Sequence, residues 1–213
     1  MAKLSEVPVF AKLFESSPAK KFEAKNIIIY EDDEVAQLYY IRQGFAKVYT
    51  ITDEGDERVL LILQPGDIFP IIRDPEHHTH KSLYFYESMV EMDTCVVDLM
   101  ELLDATRHDR AASWGMLRYS SELTSDLTNR ITSLESKSVE DKIKKLLAYL
   151  IAVCGRQISE GTYLLGLRLT HLDIANLVGH TRESVSVMMK NLKKEGIVSY
   201  RRGYLLVKLP AES

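Results

Sequence analysis

A chain of 213 residues, 46% hydrophobic and 27% charged, has the composition of an ordinary globular protein of one or two domains. It contains no run of about eighteen apolar residues, and its first fifteen residues mix Lys3, Glu6, Lys12 and Glu15 with the apolar ones; this argues against a membrane span and a secretory signal and for a cytosolic protein. Cys95 and Cys154 are too few for an all-thiolate zinc site, a four-thiolate iron–sulfur cluster or a disulfide framework, and read as small buried hydrophobes. The net charge of −4 is unevenly distributed: residues 1 to 136 carry 14 Lys and Arg against 24 Asp and Glu, whereas residues 137 to 209 carry 13 against 6. A basic C-terminal part behind an acidic front suits a protein that meets a polyanion at one end only, although two solvated surfaces of unlike sign give the same numbers.

In chain order, residues 4 to 14 have the spacing of a short amphipathic helix. From Ile27 the texture changes to short runs rich in β-branched and aromatic residues: Ile27 to Tyr30, Leu38 to Ile41, Ala46 to Tyr49 and Val59 to Leu63. Gly44, Gly55 and Gly66 recur every 11 residues, as expected when short strands alternate with turns that need positive φ. The pattern predicts an antiparallel barrel or roll, continued by Leu83 to Met92 and Cys95 to Leu99. From about Ala111 to Glu135 there is no Pro, and Met116, Ser120, Leu123, Leu127 and Leu134 fall on a 3-4 repeat flanked by Ile131. This predicts a long helix. The repeat is either a face packed on its own domain or, as the polar flanks Arg118, Glu122, Asp126 and Arg130 favour, a dimerisation seam. Lys137-Ser138 marks a hinge, and a second helix is predicted from Val139 to Val153.

Thr170-His171-Leu172-Asp173 has the form of a capping box opening a short helix to Val178, which Gly179 ends. Thr181 caps a second helix that stops at Gly196. Two short helices across a Gly-containing turn predict a helix-turn-helix. In the second helix Val185, Met188, Met189 and Leu192 share one side, while Glu183, Ser186, Val187, Lys190 and Lys194 face away, with Arg182 at their edge. An Arg at that place can pair with guanine and an adjacent Glu can accept from cytosine, while lysines farther along suit phosphates. Ile197 to Tyr200 and Tyr204 to Val207 flank Arg201-Arg202-Gly203, which predicts a β-hairpin with a basic tip.

The whole order resembles the CRP/FNR family of bacterial regulators. The resemblance covers nearly the full chain, through Tyr39 to Gly44, Pro65-Gly66-Asp67-Ile68-Phe69 and, most specifically, Asp173 to Val185. It implies an α+β protein: a jelly-roll-like antiparallel β-roll sensor (1–110), a dimerisation helix (111–136) and a winged helix-turn-helix (137–213). It also implies a homodimer on double-stranded promoter DNA that recruits or blocks RNA polymerase and answers to a small-molecule effector. The family's two base-reading positions match Arg182 and Glu183. The full DNA-facing set expected here is Thr170, His171, His180, Thr181, Arg182, Glu183, Ser186, Val187, Lys190, Arg201 and Arg202.

The sequence departs from the family in ways that bear on the effector. Cyclic-AMP-binding members continue the Pro-Gly-Asp turn with Phe-Gly-Glu and grip the cyclic phosphate with Arg-Ser-Ala; here Phe69 is followed by Pro70-Ile71, and Leu83-Tyr84-Phe85 stands near the second segment. A phosphodiester without its Arg partner loses a charge-assisted pair, so cyclic AMP is a poor candidate. The oxygen sensors' four-cysteine cluster is absent as well. Val187 stands where cyclic-AMP-type readers have a third base-contacting Arg, which implies apolar contact with a thymine methyl. Phe69, Ile71, Tyr84, Phe85 and Tyr86 are candidates for an apolar effector pocket or for plain core. His77, His78 and His80 have a spacing that can hold a metal or haem, though a solvated loop is the simpler reading. There is no Gly-rich phosphate loop and no nucleophile elbow, so an enzyme is not expected.

Overall fold

Pro8 pre-sets the first turn of α1 (Pro8–Ser16), and Phe10 and Phe14, four residues apart, form its buried face. The computed structural model describes residues 4–72 and 80–209, the side chain of His80 excepted. By their contacts they form two units, Met1–Thr50 with Leu60–Thr128, and Ile51–Val59 with Asn129–Ser213.

Among the described residues ten short strands follow α1, in the first unit save for the residues of β5 and β6 between 51 and 59: β1 (Ala19–Phe22), β2 (Ile27–Ile29), β3 (Glu34–Val35), β4 (Gln37–Gln43), β5 (Ala46–Ile51), β6 (Glu57–Leu63), β7 (Ile68–Phe69), β8 (His80–Lys81), β9 (Phe85–Ser88) and β10 (Met92–Asp98). They pair as two four-stranded antiparallel sheets, in the orders β1-β10-β4-β7 and β2-β9-β5-β6, with β3 and β8 as a separate pair. The expected β-roll is therefore present. Strand β4 is buried on both faces, and its period of two divides the core. Tyr39 and Ile41 point into the roll with Val48, Leu61, Leu63, Phe69, Tyr86 and Met92. Leu38 and Tyr40 point the other way, to Phe10, Phe14, Cys95 and Val97, and Phe14 stacks on Tyr40 at 4.0 Å. Gly44, Gly55 and Gly66 all have positive φ, as the 11-residue spacing requires. At Gly44 a Cβ would stand 2.7 Å from the Glu91 carbonyl oxygen, so only glycine fits there.

Asp98 accepts hydrogen bonds from the Met100 and Glu101 amides, which caps α2 (Leu99–His108). The long predicted helix is α3 (Arg110–Leu134). Its faces differ from the expectation. Of the expected seam, Met116, Leu123 and Leu127 are half-buried against the cores of their own roll, the alternative the repeat also allowed, while Leu134 is half-buried and Ser120 and Ile131 are exposed. The exposed large apolar residues of the helix are Trp114, Leu117 and Ile131, at 66%, 57% and 62% exposure. Ser121, Thr124 and Thr128 continue the 3-4 spacing from Leu117 and are also exposed. Thr124 and Thr128 donate their hydroxyls to the carbonyls of Ser120 and Thr124, which leaves their methyl groups outward. The 3-4 repeat was legible; which of two neighbouring stripes meets the roll was not, because both contain enough apolar residues to do so.

The second unit contains α4 (Val139–Cys154), β11 (Gly155–Ser159), β12 (Thr162–Leu165), α5 (His171–Val178), α6 (Arg182–Lys194), β13 (Val198–Arg201) and β14 (Tyr204–Lys208). The strands form one antiparallel sheet in the order β11-β12-β14-β13. The β11–β12 hairpin has no counterpart in the sequence reading. It is an edge hairpin whose first strand is almost wholly exposed, so it lacks an alternating pattern. Arg130, 4% exposed, also belongs to this unit: its Nη2 donates to the carbonyls of Leu177 (2.7 Å) and Val59 (3.3 Å), and its guanidinium lies 5.2 Å from the Tyr149 ring centroid. A side chain expected to flank a seam is thus buried among carbonyls.

Candidate nucleic-acid interface

The reading helix is positioned by the short helix before it. Thr170 and Asp173 form the reciprocal capping box: the Asp173 amide donates to Thr170 Oγ1 (3.1 Å) and the Thr170 amide to Asp173 Oδ2 (2.7 Å). Gly179 closes α5 in the left-handed region, with φ 67° and ψ 40°, and the His180 amide donates to the Ala175 carbonyl. Thr181 Oγ1 then accepts from the Ser184 amide and starts α6. Ile174, Ala175, Leu177 and Val178 of α5 and Val185, Met189 and Leu192 of α6 are buried, which fixes the rotation of α6 about its axis.

That rotation leaves Thr181, Arg182, Glu183, Val187 and Lys190 exposed together, Val187 at 61%. Ser186 is half-buried and held from both sides. Its hydroxyl donates to the Arg182 carbonyl (2.8 Å), so it accepts from His171 Nδ1 (2.9 Å). The imidazole is then the Nδ1–H tautomer, and its Nε2 accepts from the Tyr200 hydroxyl at 3.4 Å. One ring therefore links α5, the outward face of α6 and β13. Tyr200, 42% exposed, was not among the residues expected at the surface.

Arg201 and Tyr204 are paired, which leaves Arg202 and Gly203 as a two-residue turn with φ of 52° and 85°. Positive φ at both central residues is the type I′ hairpin signature, and it displays both arginines at the tip. Arg168 joins them: its guanidinium stacks on the Tyr204 ring, 4.8 Å from the centroid, and it borders Gly203. The sequence reading missed Arg168; its signal was an Arg two residues before the capping box. At His180, burial and the nearby Lys142 and Arg58 hold the pKa below the ordinary histidine value.

The expected effector residues do not share one pocket. Phe69 is fully buried, stacked between Tyr39 (5.1 Å) and Tyr86 (5.6 Å) in the roll interior. Phe85 and Tyr86 are adjacent on β9 and so point to opposite faces; Phe85 stacks on Tyr49 instead. The Tyr86 hydroxyl accepts from the Ile71 amide, and Tyr84 packs at the margin of the same core. Of the five, Ile71 lines a cavity outside the roll interior. His77 and His78 lie outside the described residues, and only the backbone of His80, paired with Val35, is described. Among the described residues no three His, Cys, Asp or Glu side chains converge as metal ligands. Burial pushes both thiols up, that of Cys154 to about 11, so both cysteines are inert at neutral pH.

Residues 144–211 match the model of the Crp-like helix-turn-helix domain, and residues 19–79 match that of the cyclic nucleotide-binding domain. The chain belongs to the CRP/FNR family. It is similar to the regulatory protein HlyX of Actinobacillus pleuropneumoniae, 28% identical over 198 residues that cover 88% of this chain and 77% of that protein. It is also similar to the fumarate and nitrate reduction regulatory protein of Vibrio cholerae, 28% identical over 84% of this chain and 70% of that protein. Its fold matches the structure of FixK2 from Bradyrhizobium japonicum with a TM-score of 0.76 at 18% identity, covering 91% and 93% of the two chains. This CRP/FNR protein is accordingly a transcription regulator with a helix-turn-helix DNA-binding domain and an effector-sensing domain, and its relatives are regulators rather than enzymes. No described helix is long and apolar enough to cross a membrane.

Proposed function

We propose that this regulator acts in the cytosol as a homodimer on a palindromic promoter site, with Arg182 and Glu183 reading base edges, and that it controls the access of RNA polymerase to promoters. The division of labour follows the three sequence segments: 1–110 senses, 111–136 pairs the subunits and 137–213 binds DNA. The observation that carries this reading is the rotation of α6, which buries Val185, Met189 and Leu192 and leaves Arg182, Glu183, Val187 and Lys190 exposed. Arg201, Arg202 and Arg168 flank that face with charge suited to phosphates. The effector is not cyclic AMP: Pro70 and Ile71 replace the Gly-Glu of the binding members, and the nearby roll interior is filled by stacked aromatic rings.

Selection of operators from randomised DNA tests the assignment. Wild type selects an inverted repeat with half-sites about one helical turn, roughly 34 Å, apart. Arg182→Ala costs about 1 to 3 kcal/mol and relaxes one base pair, whereas Lys190→Ala or Arg202→Ala weakens all sequences alike and flattens the salt dependence by about one unit. An unchanged half-site with Arg182→Ala overturns the assignment. For the dimer, the exposed stripe from Leu117 to Ile131, which shares Ile131 with the seam expected from the sequence, is the pairing face: Leu117→Glu gives a folded monomer in sedimentation, while Leu127→Glu disturbs the roll instead.

A further inference from the structure

We infer that the protein binds a compact, neutral, largely apolar small molecule in a cavity between α2, α3 and the segment after β7, on the face of the sheet turned away from the roll interior; this deepens the reading of the chain as an effector-controlled regulator. The cavity is about 300 Å³, at the lower end of the range for small-molecule sites. Ile71 and Ile72, Leu103 of α2, and Met116 and Leu123 of α3 supply apolar walls. Close packing is the rule for protein interiors, and apolar voids of about this size or smaller take up molecules such as benzene.

The polar groups in the lining define the ligand further. Three hydroxyls are present. Thr106 donates to the Leu102 carbonyl (2.8 Å), and the Tyr119 hydroxyl is engaged with the backbone of Ile68 (3.3 Å to the amide). Ser120 makes no side-chain hydrogen bond to the other described residues, so it can give or accept one from a ligand. Among the described residues no Lys, Arg or His lines the cavity. Behind its wall Asp67, 2% exposed, stands close enough to Tyr119 to oppose ionisation of the phenol. Among the described residues an anion entering here meets no cation and one buried carboxyl, and its lost hydration is not replaced by them. A neutral molecule of about ten heavy atoms with one hydrogen-bonding group fits volume and chemistry together.

Benzyl alcohol and benzoate, nearly equal in size and unlike in charge, are the probes. Titrated into the full-length protein, benzyl alcohol is expected to bind saturably by calorimetry and to shift the Met116 and Ile72 methyl resonances, with benzoate at least tenfold weaker. Ser120→Phe places a ring in the cavity from an exposed position and is expected to lower benzyl alcohol affinity at least tenfold. Thr106→Met fills it from α2 and serves if the first variant does not fold. Tyr84→Ala, at the margin of the roll core, leaves binding unchanged. Equal binding of benzoate, undiminished binding by a folded cavity-filling variant, or the absence of saturable binding overturns the proposal. Gel shifts with the selected operator separate the outcomes: DNA binding that persists without probe binding refutes this site alone, and its loss in the wild type refutes the proposed function.

Discussion

The DNA-binding unit and the roll use their faces in opposite ways. In the first, α6 buries a narrow apolar side and leaves a polar face whose residues are set by helical period alone. In the roll, strands such as β4 are buried on both sides, so two adjacent aromatic residues serve two different cores. A reading face can therefore be identified from one element, whereas a binding pocket in the roll depends on which of several apolar surfaces fail to close. Chemistry on the outside of a helix is local information; a cavity is a property of the packing.

Variants that disturb each unit sharpen this contrast. The largest effect is expected for Arg130→Met, which removes a buried guanidinium from two backbone carbonyls and leaves those acceptors without it. With charge-assisted hydrogen bonds at about 2 kcal/mol each, the loss is about 4 kcal/mol in urea denaturation. A loss below about 1 kcal/mol means the carbonyls find other partners.

Asp67 comes next and has the opposite sign. Its carboxyl is raised to about 6, first by burial, against which the Gln64 amide hydrogen bond works, and further by Asp126 and Glu122. Because the folded pKa lies above the unfolded value of 3.8, the native state holds this proton more tightly. Its contribution to stability is thus lost as pH rises from about 4 to about 6 and stays lost above. Asp67→Asn keeps an acceptor for Gln64 and removes the charge. It should stabilise the protein at pH 7 by up to about 3 kcal/mol and flatten that part of the pH profile; an unchanged slope assigns the titration elsewhere.

Smaller effects belong to the reader's local devices. Thr170→Ala breaks the capping box of α5 and should cost about 1 kcal/mol of stability. His171→Phe keeps the ring and removes both hydrogen bonds, to Ser186 and Tyr200. It should weaken operator binding by roughly 0.5 to 1.5 kcal/mol while changing stability less, since both partners reach water. If stability falls more than affinity, the ring holds the fold rather than the reading face.

The sequence by itself determined the order of elements apart from the β11–β12 hairpin, the turns at Gly44, Gly55, Gly66 and Gly179, the two capped helices and the outward set Arg182, Glu183, Val187 and Lys190. Each follows from a short-range rule: a positive φ, a side chain three residues from its amide partner, or a 3.6-residue period. Tertiary structure decided which stripe of α3 meets the roll, turning Met116, Leu123 and Leu127 inward and leaving Trp114, Leu117 and Ile131 outside. It decided that Phe69 and Tyr86 are core, that Arg130 is buried, that Arg168 stands beside the hairpin tip on Tyr204, and that His171, Ser186 and Tyr200 form one network. These depend on contacts between segments far apart in the chain, where several apolar surfaces compete for the same neighbours and only their combined packing selects one arrangement.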